Sequence, residues 1–324
     1  MNNDSGRAPR RIVVTGAAGM LGQNLIPRLL AKGDRVVALD KNAAALGVLG
    51  ERATQAEIHD ADLAEEGDWS SRFAGVDAVV DLKAQITSAD RALHLRNNAE
   101  ATERVVRACE RHGVPHLVYL SSSVVISKAN DFYSESKRRG ETAVRKSSAP
   151  HTILRPPLMF GPGDIKHLGL ILGLMTRLPV IPIPGDGRFM RQPLYVGDMC
   201  AVIERVLERT PAGDIFNIIG HERIPFVDLL REIRRVRGLA NLFVPFPHWL
   251  FRLALRTQRA LMRRTIFTKE QLDALTAGDD FPIDPWTETF GVPYSTFGSM
   301  APKVYGENDD LRVALLRANQ TAGR

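Results

Sequence analysis

The chain has 324 residues, 44% hydrophobic and 25% charged, with two cysteines and a formal charge of +6. That length can bury a sizeable core and exceeds one ordinary nucleotide-binding domain. The composition excludes disordered, collagen-like and disulfide-stapled chains. Cys109 and Cys200 lie far apart and make neither a metal motif nor a disulfide framework, so no metal is predicted and a reducing cytoplasm is expected.

Residues 1–10 are polar and basic, lack an apolar signal core, and read as a flexible tail. Candidate strands then follow at 12–15, 35–39, 54–58, 77–82, 116–121 and 151–154. Helical patterns lie near 20–32, 68–74, 90–112 and 133–147. This alternation predicts an α/β fold with a Rossmann-type doubly wound parallel sheet over 11–155, later segments returning to it. A smaller C-terminal α/β substrate lobe is expected over 156–306, and a tail over 307–324, of which 308–324 reads as a short helix of undefined packing. No run is long enough for a membrane span; Leu168 to Pro184 comes nearest but is broken by Arg177 and three prolines.

The stretch Thr15-Gly16-Ala17-Ala18-Gly19-Met20-Leu21-Gly22 joins the first strand to the first helix. Glycines there let backbone approach a phosphate, and the helix N-terminus adds free N–H groups and partial positive charge. Asp40 ends the second strand, 18 residues beyond Gly22, where a carboxylate can accept from the ribose hydroxyls of an adenine dinucleotide. That carboxylate would repel a 2′-phosphate and so favours NAD, while Lys41 beside it leaves NADP open. Asp62 and Leu63, just past the third strand, are placed to meet the adenine ring or simply to form a polar turn. Leu82-Lys83-Ala84 carries the fourth strand into a loop over the expected nucleotide position.

The fifth strand leads into Ser121-Ser122-Ser123, and ten residues on comes Tyr133-Ser134-Glu135-Ser136-Lys137. Tyr133 and Lys137 share a helix face. A nearby ammonium lowers a phenol's pKa, and a serine hydroxyl can hold a substrate oxygen, so a base, a cation and a polarising group converge.

The glycine stretch, the serine run and Tyr-x-x-x-Lys together resemble the short-chain dehydrogenase/reductase superfamily. Leu154-Arg155-Pro156-Pro157-Leu158-Met159-Phe160-Gly161-Pro162-Gly163-Asp164, Gly185-Asp186-Gly187, Arg191, Tyr195-Val196-Gly197-Asp198 and Phe216-Asn217-Ile218 are similar to its extended, epimerase/dehydratase-like branch. The resemblance implies Tyr133 as acid/base, Lys137 as its cationic neighbour and ribose ligand, and Ser123, the third serine, as the catalytic hydroxyl. It puts Pro156 beside the nicotinamide and Arg191 at a substrate diphosphate, a task suited to a bidentate guanidinium. Asn98 and Thr102 match a largely structural pair, and Phe216–Ile218 a strand of the substrate domain.

Departures bear on the substrate. Val124 and Val125 stand where dehydratases and decarboxylases of the branch carry an acid, which disfavours elimination. The serine–tyrosine gap is about half the family's. Lys83 replaces a small residue, either reaching the cofactor phosphates or pointing outward. Thr276 stands where a second diphosphate-binding arginine precedes Gly278-Asp279.

The implied activity is NAD-dependent, reversible hydride transfer at the carbinol of a small-molecule substrate, in a nucleotide-sugar 4-epimerase-like reaction. The alternatives are a dehydrogenase of a sterol-like or lipid-linked alcohol, and a non-catalytic dinucleotide-binding scaffold like the accessory Rossmann-type subunit of respiratory complex I. Helices near 90–112 and 133–147 form a dimerising bundle in many relatives, so a homodimer is an option.

Between Arg231 and Arg264 lie nine arginines against one acid, a local net of +8. In the 248–264 stretch, Arg252, Arg256, Arg259 and Arg263 form one helical stripe with Leu250, Phe251 and Ala254 facing away. It reads as contact with the inner membrane surface, capture of an anionic substrate, or a solvated arginine face. Nucleic acid is disfavoured, because no binding fold surrounds it.

Overall fold

A computed structural model describes residues 8–127, 131–247, 249, 276, 278–306 and 310–321. Its frame is set by short β-branched and aliphatic runs. Arg11–Thr15 (β1), Arg35–Asp40 (β2), Glu57–Asp60 (β3), Ala78–Asp81 (β4), Leu117–Leu120 (β5) and His151–Arg155 (β6) pair in parallel with Ile215–Asn217 at the far edge. The order is Ile215–Asn217, β6, β5, β4, β1, β2, β3. Ile12, Val13 and Val14 are all fully buried, as a strand covered on both faces requires, which is why the run shows no alternation.

One face packs on Met20–Ala31 (α1), Ala43–Arg52 (α2) and the helix Val196–Val206 through Leu25, Ile26, Leu49, Met199 and Ile203. The other packs on Ala101–His112 and Phe132–Lys146 through Val105, Cys109 and Val144. The smaller lobe has its own core, in which Phe160, Leu172, Ile183, Phe226, Leu229 and Phe297 meet.

Several expectations change in detail. The third strand begins at Glu57, because α2 runs to Arg52 and Ala53 caps it with a 2.8 Å bond to Leu49 O. Residues 68–74 form a 3₁₀ turn, Asp68–Phe73, which buries Trp69 and Phe73. The 90–112 pattern is split into Arg91–His94, a π-helical turn Leu95–Glu100, and Ala101–His112. In that wide turn the Asn98 side chain clamps the Gln85 backbone, accepting from its N–H (2.7 Å) and donating to its carbonyl (3.0 Å). Asn98 also donates to Ser136 Oγ, while Thr102 Oγ1 donates to Asn98 O, so the pair is structural, as the resemblance implies.

Two corrections concern the division of the chain. Ile215–Asn217, read as part of the substrate lobe, is a strand of the main sheet, paired with β6. The helix read after 307 is present as Asp310–Thr321, but it is no loose tail: Leu311 and Leu315 are buried in the core with α2. Apart from Trp249, the basic 248–264 stretch lies outside the described residues, and the membrane reading with it. Among the described residues no helix is long and apolar enough to cross a membrane.

Trp286 joins the later segments to the sheet. It is fully buried, and its indole donates to Ile219 O at 2.9 Å. Trp286→Ala should cost about 3–5 kcal/mol, read as a lower urea midpoint at unchanged slope.

Candidate active site

The carboxyl ends of β1, β2, β4, β5 and β6 open into one cleft of about 450 Å³. Its floor is the glycine turn. Gly16 has φ +68°, and a Cβ there would lie 2.6 Å from Lys83 N, so only glycine fits beneath the loop after β4. Gly19 starts α1 in extended conformation, leaving the first-turn N–H groups of the helix facing the cleft beside Met20 and Leu21. Gly22 is different, a correction. It lies under Ala17, whose carbonyl oxygen a Cβ would meet at 2.4 Å, and it does not line the cleft. Its contribution is the close packing of helix on turn. This combination of bare backbone and helix N-terminus fits a dinucleotide pyrophosphate.

Asp40 lines the next section of the cleft. Its Oδ2 accepts from Ala18 N and its Oδ1 from Asn42 N, both at 3.0 Å, which fixes the carboxylate against the glycine turn. Burial raises its pKa, with those bonds opposing. Each oxygen keeps a lone pair for a hydroxyl donor. Lys41 lines the cleft too, but its ammonium is committed to Asn97 Oδ1 at 2.9 Å. Asp62 accepts from Arg96 at 2.9 Å and from Ala64 N at 3.1 Å, while Leu63 is buried beside it; both face the cleft.

Leu82 and Ala84 line the cleft where the loop crosses Gly16. Lys83 contributes backbone there, but neither expectation for its side chain holds. The ammonium turns inward, 2.6 Å from Asp81 Oδ2 and 2.8 Å from Thr102 Oγ1. A buried carboxylate, already accepting from Thr15 Oγ1 at 2.6 Å, attracts it more than solvent or the cleft does.

At the opposite end, Asp131 caps the helix Phe132–Lys146 with a capping box to Ser134, which holds Tyr133 in the first turn. Tyr133 lines the cleft together with Ser122, and burial pushes its phenol's pKa up to about 12. Lys137 is 1% exposed, donates to Leu120 O at 2.8 Å and stands 5.0 Å over the Tyr119 ring. Burial, then repulsion from the Lys83 ammonium, push it down to about 7. The expectation that Lys137 lowers the phenol's pKa is therefore not met in the protein alone, where desolvation governs both groups.

Ser123 lines the cleft with its N–H bonded to Pro156 O at 2.8 Å, and Pro156 lines it as well. Ser122 lines the cleft too and caps the short 3₁₀ turn beginning at Ser123 by accepting from Val124 N. Arg191 reaches the same cleft and pairs with Asp279 at 3.2 Å, both nearly buried. Ile86, Val124, Leu158, His167 and Phe281 also line the cleft; of these, Ile86, His167 and Phe281 carried no sequence signal. Among the described residues, no group of His, Cys, Asp and Glu is arranged to hold a metal.

Comparison with known proteins matches this architecture. The model of the NAD dependent epimerase/dehydratase family fits residues 12–218. The human protein "Sterol-4-alpha-carboxylate 3-dehydrogenase, decarboxylating" is 27% identical over 271 residues, covering 74% of this chain and 70% of its own. The dTDP-glucose 4,6-dehydratase of Streptomyces griseus is 30% identical over 262 residues, covering 70% and 78%. Among solved structures, UDP-glucuronic acid 4-epimerase from Bacillus cereus, in complex with UDP-glucuronic acid and NAD, superposes with a TM-score of 0.73 at 20% identity. It covers 94% of this chain and 99% of its own. This chain belongs to the NAD dependent epimerase/dehydratase family, in the extended branch of the short-chain dehydrogenases/reductases.

Proposed function

We propose that this protein interconverts a secondary alcohol and a ketone, and that it does so as a dehydrogenase of a largely apolar substrate. The observation that carries hydride-transfer chemistry is the gathering of Tyr133, Ser122, Ser123 and the buried Lys137 in one cleft. Tyr133 takes the alcohol's proton, or returns it to the ketone oxygen. Ser122 and Ser123 present hydroxyls to that oxygen, and Lys137 favours the phenolate when it carries a proton. NAD, when bound, supplies the hydride acceptor and donor. Gly16, Gly19 and the start of α1 would hold its pyrophosphate, and Asp40 its ribose.

The substrate choice rests on Arg191. Its charge is met by Asp279, and Ile86, Val124, Leu158 and Phe281 add apolar side chains to the same cleft. Val124 beside the serines offers no acid for elimination. A second reading, nucleotide-sugar 4-epimerisation, is favoured by Arg191 itself, a guanidinium inside the cleft that an incoming diphosphate could draw from Asp279.

The purified protein should form NADH from NAD and a hydroxysterol or long-chain secondary alcohol. Epimerisation of a UDP-sugar without net NADH would instead support the second reading. Tyr133→Phe should lower turnover by about 10²–10⁴-fold with NAD affinity kept; retained turnover would remove Tyr133 from the chemistry. Asp40→Ala should weaken NAD against NADP by about tenfold or more in a binding titration.

Lys137 gives a prediction with a definite sign. Its value is 10.5 unperturbed and about 7 in the folded protein. The unfolded chain thus holds more protons between those values, and stability rises with pH across that window. The burial penalty is full below pH 7 and shrinks above it. Lys137→Met, inactive, should therefore gain more in Tm at pH 6 than at pH 9.

A further inference from the structure

The dinucleotide cleft is not closed by the first 155 residues. Beside Asp40 and Asn42, its wall includes Leu315 and Asn319 of the helix Asp310–Thr321. Leu315 is 1% exposed and Leu311 8%, so the helix is seated in the core rather than laid on the surface. Asn42 connects the two parts. Its Nδ2 donates to Asn319 Oδ1 at 2.9 Å, its Oδ1 caps α2 by accepting from Ala45 N at 3.1 Å, and its own N–H donates to Asp40. Asn319 in turn donates to Leu315 O at 2.9 Å, which fixes its amide for the bond to Asn42.

The loop after β6 completes the enclosure. Gly163 has φ +81°, and a Cβ there would meet Leu311 at 3.0 Å and Leu315 at 3.2 Å, so loop and helix touch over bare backbone. Asn24 of α1 donates to Pro162 O at 2.9 Å, and Asp164 accepts from Lys166 N and His167 N, holding the loop in place.

We propose that the helix Asp310–Thr321 is a retaining wall of the cofactor site. Leu315 and Asn319 close the adenosine end beside Asp40, so that cofactor release requires this wall to part from α2. The inference rests on the dinucleotide reading of the cleft and adds to it a C-terminal element that governs residence time.

The test uses the full-length protein with NAD, ADP-ribose and nicotinamide mononucleotide as probes, measuring dissociation by stopped-flow fluorescence. Asn319→Ala and Leu315→Ala should each speed release of NAD and ADP-ribose by about threefold to tenfold, as loss of one ordinary contact would. Nicotinamide mononucleotide, which lacks the adenosine, should be unaffected. Asn319 is exposed, so its variant should keep the parent's Tm; a truncation after Gly306 adds the full loss of the wall if it folds. Unchanged release of NAD and ADP-ribose from both point variants overturns the proposal. So does equal weakening of all three probes with a lowered Tm, which marks a merely structural helix. A parent chain that binds none of the probes defeats the dinucleotide reading itself.

Discussion

The site depends on one buried carboxylate. Asp81 ends β4 with no solvent exposure and receives two short hydrogen bonds, from Thr15 at the end of β1 and from the Lys83 ammonium. The first joins the carboxyl ends of the two central strands. The second turns the chain after β4 so that its backbone crosses Gly16 at a distance only glycine allows. Lys83 also donates to Thr102, carrying the tie into the helix Ala101–His112. Breaking such a pair would strand a charge in a low-dielectric interior, which typically costs about 3–5 kcal/mol.

The same pair shapes the proton chemistry next door. A second buried ammonium, Lys137, is pushed down to about 7 by desolvation first and then by the Lys83 charge, with Asp81 and Glu141 opposing that shift. Tyr133 has its phenol raised by desolvation. Near neutral pH the free protein therefore holds Tyr133 as the neutral phenol and Lys137 only partly charged. Positive charge brought by an oxidised nicotinamide would favour the phenolate, so cofactor binding and activation of the base are linked.

The cleft is also a product of several chain regions. The first domain supplies the glycine turn, Asp40 and the tyrosine helix, while the loop after β6, Arg191, Asp279 and the C-terminal helix supply the facing walls. Asp279 pairs with Arg191 where it reaches the cleft, and Ile86, Val124, Leu158 and Phe281 line the same cleft. The fold is shared with nucleotide-sugar epimerases, yet fold alone does not carry a substrate.

The sequence by itself determined what depends on local order. Apolar runs of strand length, the Gly16–Gly22 spacing and the four-residue step from Tyr133 to Lys137 specified the parallel sheet, the dinucleotide turn and the shared helix face. Only the tertiary structure decided what depends on distant partners. Lys83 turns inward because Asp81 and Thr102 wait there, and Asn98 holds the loop after β4 because the Gln85 backbone meets it. Ile215–Asn217 joins the main sheet because β6 offers it an open edge, and Leu315 reaches the cofactor cleft across more than half the chain. Periodicity reports the nearest neighbours along a segment; which carboxylate or apolar groove a side chain will meet is fixed only when the segments pack.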